Sequence, residues 1–119
     1  MIQKKTNPNL TRLIGELQSA SRAEDAEIWR DIAARLEKPL SHWAEVNLGE
    51  IARFAKPKET VIVPGKLLGG GDIDQALVVA SYKCSASARR KLEAAGGRAI
   101  SISQLLKENP KGSGVVVMR

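Results

Sequence analysis

The sequence predicts a single α/β domain in which two amphipathic helices precede an alternation of strands and helices. Its 119 residues fall within the usual size of one domain. Before residue 37, apolar residues recur at the spacing of one helix face. After residue 43, short β-branched runs alternate with helical patterns, an order that is typical of α/β proteins. We therefore expect a flexible basic tail at residues 1–7 and one domain at residues 8–119.

Two helices are predicted in the first third of the chain. Asn7-Pro8 combines an N-cap residue with proline at the first helical position, and the helix extends to about Ala20. After a break at residues 22–25, a second apolar stripe predicts a helix over residues 28–36. Its outer face carries opposite charges at helical spacing, so we expect this face to neutralise itself and not to bind a polyanion. The pairs are Glu27 with Arg30 and Asp31 with Arg35.

A short strand and a third helix are predicted next. Residues 43–46 favour a strand of a few residues, and Asn47 to Glu50 has the pattern of a capping box. The apolar side of the helix continues to Ala55. The helix ends at Lys56-Pro57-Lys58, because proline cannot continue it.

The stretch from Thr60 to Gly71 is the most distinctive part of the sequence. Val61-Ile62-Val63 predicts a buried strand, Pro64-Gly65 a turn, and Leu67-Leu68 a short second strand. Gly69-Gly70-Gly71 permits a sharp bend and leaves no side chains between the backbone and a partner. Two interpretations remain open here. The stretch is either a hairpin with a surface loop, or a backbone that lies against a large anionic partner.

Strands and helices continue to alternate towards the C-terminus. A continuous apolar run at residues 76–80 predicts a strand that is buried on both faces. Ser85 is the expected N-cap of a helix with a basic outer side, and Gly96-Gly97 ends that helix. Three further elements are predicted: a strand from Arg98, a short helix from Ser101 and a strand over residues 115–117.

Charge is distributed unevenly along the chain, whose net charge is +6. Residues 1–15 contain three basic residues and no acidic one. Residues 16–50 contain eight acidic residues against four basic ones, and residues 51–119 contain twelve basic residues against five acidic ones. This distribution favours a protein with one surface on a polyanion and another facing water. A basic surface that serves only solubility is the alternative.

The remaining composition excludes several classes of protein. The single Cys84 cannot form an internal disulfide and fits a reducing compartment. No apolar run approaches the roughly 18 residues of a membrane span, and the N-terminus lacks the apolar region of a signal peptide. We therefore expect a cytoplasmic protein that has no membrane partner.

No residue pattern indicates catalysis. Gly65-Lys66 fails to match a phosphate-binding P-loop, since the earlier glycine and the later hydroxyl of that motif are both missing. His42 and Cys84 are too few for a structural zinc site. A helix start lowers the pKa of a thiol, but a packed, inert Cys84 is the favoured interpretation. Asp72 and Asp74 indicate a metal only weakly. We expect no enzyme activity, cofactor, metal or small-molecule substrate.

Five short motifs occur in a specific order along the chain. They are Lys5-Thr6-Asn7-Pro8, Leu36-Glu37-Lys38-Pro39, Ala44-Glu45-Val46-Asn47-Leu48-Gly49, Val61-Ile62-Val63-Pro64-Gly65-Lys66-Leu67-Leu68-Gly69 and Asn109-Pro110-Lys111-Gly112-Ser113. In this combination the chain resembles, over essentially its whole length, the large-subunit ribosomal protein family L-eighteen-e, the archaeal and eukaryotic relative of bacterial L-fifteen. The short termini resemble the archaeal members. The chain departs from the family at Gly70, where family loops often carry a small polar residue.

The resemblance implies N-terminal helices followed by an irregular superhelix of strand-strand-helix turns. It also implies a structural protein of the large ribosomal subunit in the cytoplasm, with a role in assembly. Its partners would be large-subunit rRNA and neighbouring ribosomal proteins. Charge and position select the residues that we expect to contact RNA: Lys4, Lys5, Thr6, Asn7, Lys66, Gly69, Gly70, Gly71, Lys83, Arg89 and Arg90.

A free-standing adaptor is the alternative function. In that case the acidic middle of the chain docks another protein, and the basic half is incidental. Co-sedimentation with large subunits at moderate salt discriminates between the two functions.

Overall fold

The secondary structure follows the predicted order of helices and strands. A computed structural model describes residues 8–56 and 59–118 of the chain. The helices within these residues are Pro8–Glu24 (α1), Glu27–Leu36 (α2), Leu48–Phe54 (α3), Ala86–Ala94 (α4) and Ile102–Glu108 (α5). The strands are Ala44–Asn47 (β1), Thr60–Leu68 (β2), Val78–Cys84 (β3), Arg98–Ser101 (β4) and Val115–Val117 (β5), and a 3-10 turn at Leu40–His42 precedes β1. The expected tail at residues 1–7 lies outside the described residues.

The described strands form one parallel sheet. Their order is β1-β2-β3-β4, and β5 pairs with the first half of β2. Parallel strands need crossover connections, and α3, α4 and α5 provide helical segments that follow β1, β3 and β4. Because the strands run in the same direction, β1, β2 and β3 end at a common edge of the sheet. We call this edge, with the residues that follow each strand, the carboxyl edge.

The sheet separates two clusters of buried side chains. Successive side chains of a strand point to opposite faces, and β2 therefore contributes Ile62 to one cluster and both Val61 and Val63 to the other. The first cluster contains apolar residues of α1, α2 and α5. The second contains apolar residues of α3 and α4. Helices thus cover both faces of the sheet, which confirms the expected α/β class and explains the continuous apolar run in β2.

The predicted turn at Pro64-Gly65 is wrong, because β2 continues through it to Leu68. The register between β2 and β3 changes between Val63 and Lys66, which identifies Pro64-Gly65 as a bulge. Proline is tolerated there because a bulge does not require every backbone N–H. A methyl group added at Gly65 would overlap the carbonyl oxygen of Ala44 in β1, so glycine allows the two strands to approach. Leu67-Leu68 therefore belongs to the same strand as Val61.

Other element boundaries differ from the sequence prediction by a few residues. The first helix does not end near Ala20 but continues to Glu24, and the break is at Asp25, whose φ is 51°. The strand predicted at residues 76–80 begins at Val78 and extends to Cys84. On α2 the two expected ion pairs are present, with Arg30–Glu27 at 3.7 Å and Arg35–Asp31 at 3.3 Å.

The helix caps predicted at Asn47, Ser85 and Gly96 are confirmed, whereas the N-cap predicted at Asn7 lies outside the described residues. Asn47 and Glu50 form a capping box at the start of α3. The side chains of Ser85 and Ser101 accept hydrogen bonds from backbone N–H groups at the starts of α4 and α5. Gly96, just after α4, has a φ of 86°, which favours glycine. Within the two described segments, no helix has the length and apolar character needed to cross a membrane.

Candidate nucleic-acid interface

Lys66 and Lys83 lie side by side at the carboxyl edge. They are register partners on β2 and β3, and neighbouring strands are roughly 4.8 Å apart. The bulge at Pro64-Gly65 produces this pairing. With the register of Thr60–Val63 continued, Lys66 would instead lie opposite Cys84. The extra residue in β2 thus brings two positive charges together on one row of the sheet.

Part of this charge is balanced within the chain. Glu45 is the partner of Lys66 on β1, and its Oε2 lies 3.9 Å from Lys66 Nζ. Both side chains are about half exposed, so the pair contributes little to stability, although it reduces the local positive charge. Lys83 is exposed at the end of β3 and is the stronger candidate for a phosphate contact.

The three glycines after β2 pack against the protein itself. A methyl group added at Gly69 would overlap the Ser87 hydroxyl of α4, and one at Gly71 would lie 2.7 Å from the Cα of Gly49. At Gly70 an added methyl group would lie 2.5 Å from Asn47 Oδ1. The glycines are therefore explained by close internal contacts, a requirement that the sequence pattern did not reveal. Gly70 and Gly71 remain exposed on their outer side.

Hydrogen bonds fix the glycine segment (residues 69–71) to the start of α3. The N–H of Gly70 donates to Asn47 Oδ1 at 2.9 Å, and the N–H of Gly49 donates to the Gly70 carbonyl at 2.8 Å. Asn47 is also the N-cap of α3, so one side chain serves both the helix and the loop. The loop is consequently attached to the sheet edge and is not an open hairpin end, the alternative that the sequence had left open.

Lys91 adds a connection from α4. Its ammonium group donates to the carbonyl oxygens of Gly69 at 2.8 Å and Gly71 at 2.7 Å. Asp72 Oδ1 lies 3.8 Å from the same nitrogen but is almost fully exposed. The helical pattern predicts an outward-facing Lys91 and contains no signal of this contact, because the loop carbonyls come from a segment twenty residues earlier.

The two arginines of α4 have different surroundings. Residues 87 and 91 face the glycine segment, since they are four positions apart and both contact it. Arg90 is exposed on the outer side of the helix next to this face. Arg89 lies on the opposite side, where its Nη1 donates to the Ala99 carbonyl of β4 at 3.3 Å. Arg90 therefore has a side chain that is exposed, whereas Arg89 is held towards β4 and also lies near Cys84 at the end of β3.

The structure shows the surroundings of Cys84, which is partly buried, and of His42. Burial raises the pKa of the Cys84 thiol, and this effect outweighs the lowering of that pKa by the nearby positive charge of Arg89. An activated thiolate would need the opposite direction, a lowered pKa. His42 is exposed. Over residues 8–56 and 59–118, no three metal-ligating side chains are grouped together.

Comparisons with known proteins identify the family of the chain. Residues 26–100 match the model of the family described as ribosomal proteins 50S-L15, 50S-L18e and 60S L-twenty-seven-A. A protein from Methanoregula boonei is 53% identical over 116 residues, which are 98% of this chain and 96% of that protein. Proteins from Halobacterium salinarum and Archaeoglobus fulgidus are each 49% identical over 115 residues, or 97% of this chain and 98% of each protein. All three carry the name large ribosomal subunit protein eL18.

The chain belongs to this family of ribosomal proteins. The resemblance noted in the sequence is thereby confirmed, together with the archaeal affinity and the ribosomal localisation that it implied. The part of the ribosomal protein that matches the family model extends from the residue before α2 into β4. It includes Lys66, the glycine segment, Lys83, Arg89 and Arg90. Lys4, Lys5, Thr6 and Asn7 lie outside both the matched region and the described residues.

Proposed function

We propose that this ribosomal protein is a structural constituent of the large subunit, where it binds and stabilises folded large-subunit rRNA. The observation that carries the proposal is the pairing of Lys66 with Lys83 on neighbouring strands, at the edge where hydrogen bonds fix the glycine segment in place. Arg90 adds an exposed cation on α4, the helix that holds this segment through Lys91. Membership of the ribosomal protein family supports the same function. The protein acts through shape and charge, without catalysis, because phosphate contacts position a protein on RNA and need no reacting group.

The carboxyl edge presents exposed backbone and flexible cations together. Structured RNA is recognised mainly by its shape and by contacts to phosphates and 2′-hydroxyl groups. A rigid loop with exposed glycines lets an RNA backbone approach closely, since no side chains intervene at Gly70 and Gly71. Lys83 and Arg90 then supply positive charge beside the loop. Arg89 contributes more weakly, because its guanidinium also donates to Ala99.

The proposal extends to the basic N-terminal residues Lys4, Lys5, Thr6 and Asn7. Two lysines within four residues add positive charge that no acid among residues 1–15 balances. The acidic residues of the middle of the chain, including the self-neutralised outer face of α2, would face neighbouring ribosomal proteins. Assembly of the large subunit is the process in which these contacts form.

The test measures the affinity for a transcript of large-subunit rRNA as a function of salt. The double variant Lys83→Ala with Arg90→Ala is expected to weaken binding and to reduce the log–log salt slope by nearly two units, roughly one per lost phosphate contact. The matched control is Arg30→Ala with Arg35→Ala on α2, where both cations are paired with carboxylates. Equal weakening by the control pair would show that the proposed division of the surface is wrong.

Co-sedimentation decides whether the protein works inside the subunit. The wild-type chain is expected to sediment with large subunits at moderate salt, and its amount should remain stoichiometric after washing. A chain that stays in the supernatant while it binds another protein through its acidic middle would instead support the adaptor function. Removal of charge at Lys4 and Lys5 by alanine substitution is expected to lower rRNA affinity without changing the melting temperature.

A further inference from the structure

Phe54 is a large apolar side chain at the end of α3 that the fold leaves outside its core. Its exposed fraction is 70%, whereas Leu48 and Ile51 of the same helix are fully buried. Among the side chains that the structure describes, Phe54 is the only large apolar one that is exposed. The core of the protein therefore does not account for an aromatic residue at this position.

One basic side chain contacts the exposed ring, and a second follows two residues later in the chain. Arg53 Cζ lies 5.7 Å from the ring centroid, within the range of a cation–π contact. Arg53 and Lys56 are both exposed, and the carboxylate of Glu59 is engaged by the backbone N–H of Lys56 at 2.7 Å. A solvent-exposed ring beside cations has the composition of a single-stranded nucleic acid contact, in which a base stacks on the ring and cations approach the phosphates. An apolar pocket of a protein partner would have to bury these cations at an energetic cost.

The position of the ring separates it from the carboxyl edge. The helix α3 begins beside the glycine segment, where Gly49 donates to the Gly70 carbonyl. A helix rises by about 1.5 Å per residue, so Phe54 lies roughly 7–9 Å further along the axis. The same short helix thus has the glycine segment at one end and the aromatic residue at the other.

We propose that Phe54 stacks on an unpaired base of RNA, with Arg53 and Lys56 beside the phosphates of that base and its neighbour. The inference rests on the proposed rRNA-binding function and adds a site that is separate from the carboxyl edge. It assigns single-stranded RNA to this end of α3. The carboxyl edge, in contrast, is built to approach the backbone of folded RNA.

The experiment compares Phe54→Tyr, Phe54→Leu and Phe54→Ala in binding to the large-subunit rRNA transcript. Tyrosine keeps an aromatic face and is expected to bind within about twofold of wild type. Leucine and alanine are expected to weaken binding by roughly 5- to 150-fold, the range for loss of one base stack. The salt slope should not change in these variants, because no phosphate contact is removed. It should fall by nearly one unit in Arg53→Ala.

The binding data distinguish an RNA base from an apolar pocket as the partner of the Phe54 ring. Full binding by the leucine variant together with weak binding by the alanine variant would show an apolar pocket and overturn base stacking. Binding of Phe54→Ala at the wild-type level would overturn the inference while leaving the proposed function intact. A wild-type chain that fails to bind the transcript would overturn the proposed function, and the inference with it. The melting temperature of the Phe54 variants should equal that of wild type, because the ring lies outside the core. The surface variant Arg30→Ala is the binding control, and its affinity for the transcript should equal that of wild type.

Discussion

Lys91 offers the sharpest test of how the candidate interface is held together. Its ammonium group donates to the carbonyl oxygens of Gly69 and Gly71 and thereby links α4 to the glycine segment. Lys91→Met removes the charge and both donors but keeps an unbranched stem of similar length. The substitution therefore isolates the two hydrogen bonds from the packing of the side chain.

The expected loss of stability follows from the exposure of the side chain. A hydrogen bond to a charged group contributes about 1.5–3 kcal/mol when it is well buried. The Lys91 side chain is 39% exposed, so we take less than this for each bond and expect a total loss of about 1–2 kcal/mol. The carboxylate of Asp72 is almost fully exposed and adds little. For a domain of this size, the melting temperature should fall by roughly 3–8 °C.

The assay combines urea unfolding with rRNA binding at several salt concentrations. Lys91→Met is expected to lose stability and affinity but to keep the wild-type salt slope, because Lys91 holds the loop and does not neutralise a phosphate. Arg90→Met at the adjacent exposed position is the matched control, with unchanged stability and a slope lower by nearly one unit. A Lys91→Met protein as stable as wild type, or one with a flattened salt slope, would refute the reasoning.

Three further predictions concern the stability of the fold and the reactivity of the Cys84 thiol. Gly65→Ala is expected to cost about 3 kcal/mol in urea unfolding, because its methyl group would overlap the Ala44 carbonyl, whereas Gly15→Ala in open space on α1 should gain about 0.5–1 kcal/mol. Hydrogen bonds from Arg98, at 2.7 and 3.3 Å, and from Gln104 lower the pKa of Glu108. This stabilisation is present above the ordinary carboxylate pKa of about 4.3 and is lost as the pH falls through the lower folded value. Thermal unfolding curves of wild type and Arg98→Ala should therefore differ at pH 7 and converge in strong acid. Burial raises the pKa of Cys84 and Arg89 lowers it, so iodoacetamide should alkylate Cys84 more slowly than a free thiol at pH 8, and more slowly still in Arg89→Ala.

Local chemistry makes most of the elements predictable from sequence. The capping box at Asn47 and the N-caps at Ser85 and Ser101 depend on side chains within three residues of the helix start, so the sequence contains the complete signal. The ion pairs of α2 are equally local. These elements are predicted correctly because nothing distant in the chain competes with them.

The sequence does not distinguish a turn at Pro64-Gly65 from a bulge, since both use the same residue types. The decision depends on β1 and β3, which pair with β2 on either side and extend it through the bulge. The predicted end of the first helix is too early for a related reason. Residues 21–24 are polar except for Ala23 and lack an apolar stripe, yet they continue the helix until Asp25 adopts a positive φ.

The candidate interface is only partly predictable, because its parts meet through the tertiary fold. Charge and composition select Lys66, Lys83 and the α4 arginines, but the register shift that pairs the two lysines depends on strand alignment. By charge alone, Lys91 and Arg89 are equivalent cations of the same helix. The fold separates their roles by placing the carbonyls of the glycine segment beside Lys91 and the carbonyl of Ala99 beside Arg89.

The contacts of the glycine segment determine which of its positions tolerate a side chain. A side chain at each of its glycines would meet a different residue, namely Ser87 of α4, Asn47 or Gly49. At Gly70 the neighbour is the end of a side chain, which can move, whereas at Gly71 it is backbone and the φ is 80°. A small side chain is therefore tolerated better at Gly70 than at Gly71. A side chain at Gly70 therefore disturbs the hydrogen bond from Gly70 to Asn47, whereas the attachment of the loop through Lys91 stays the same.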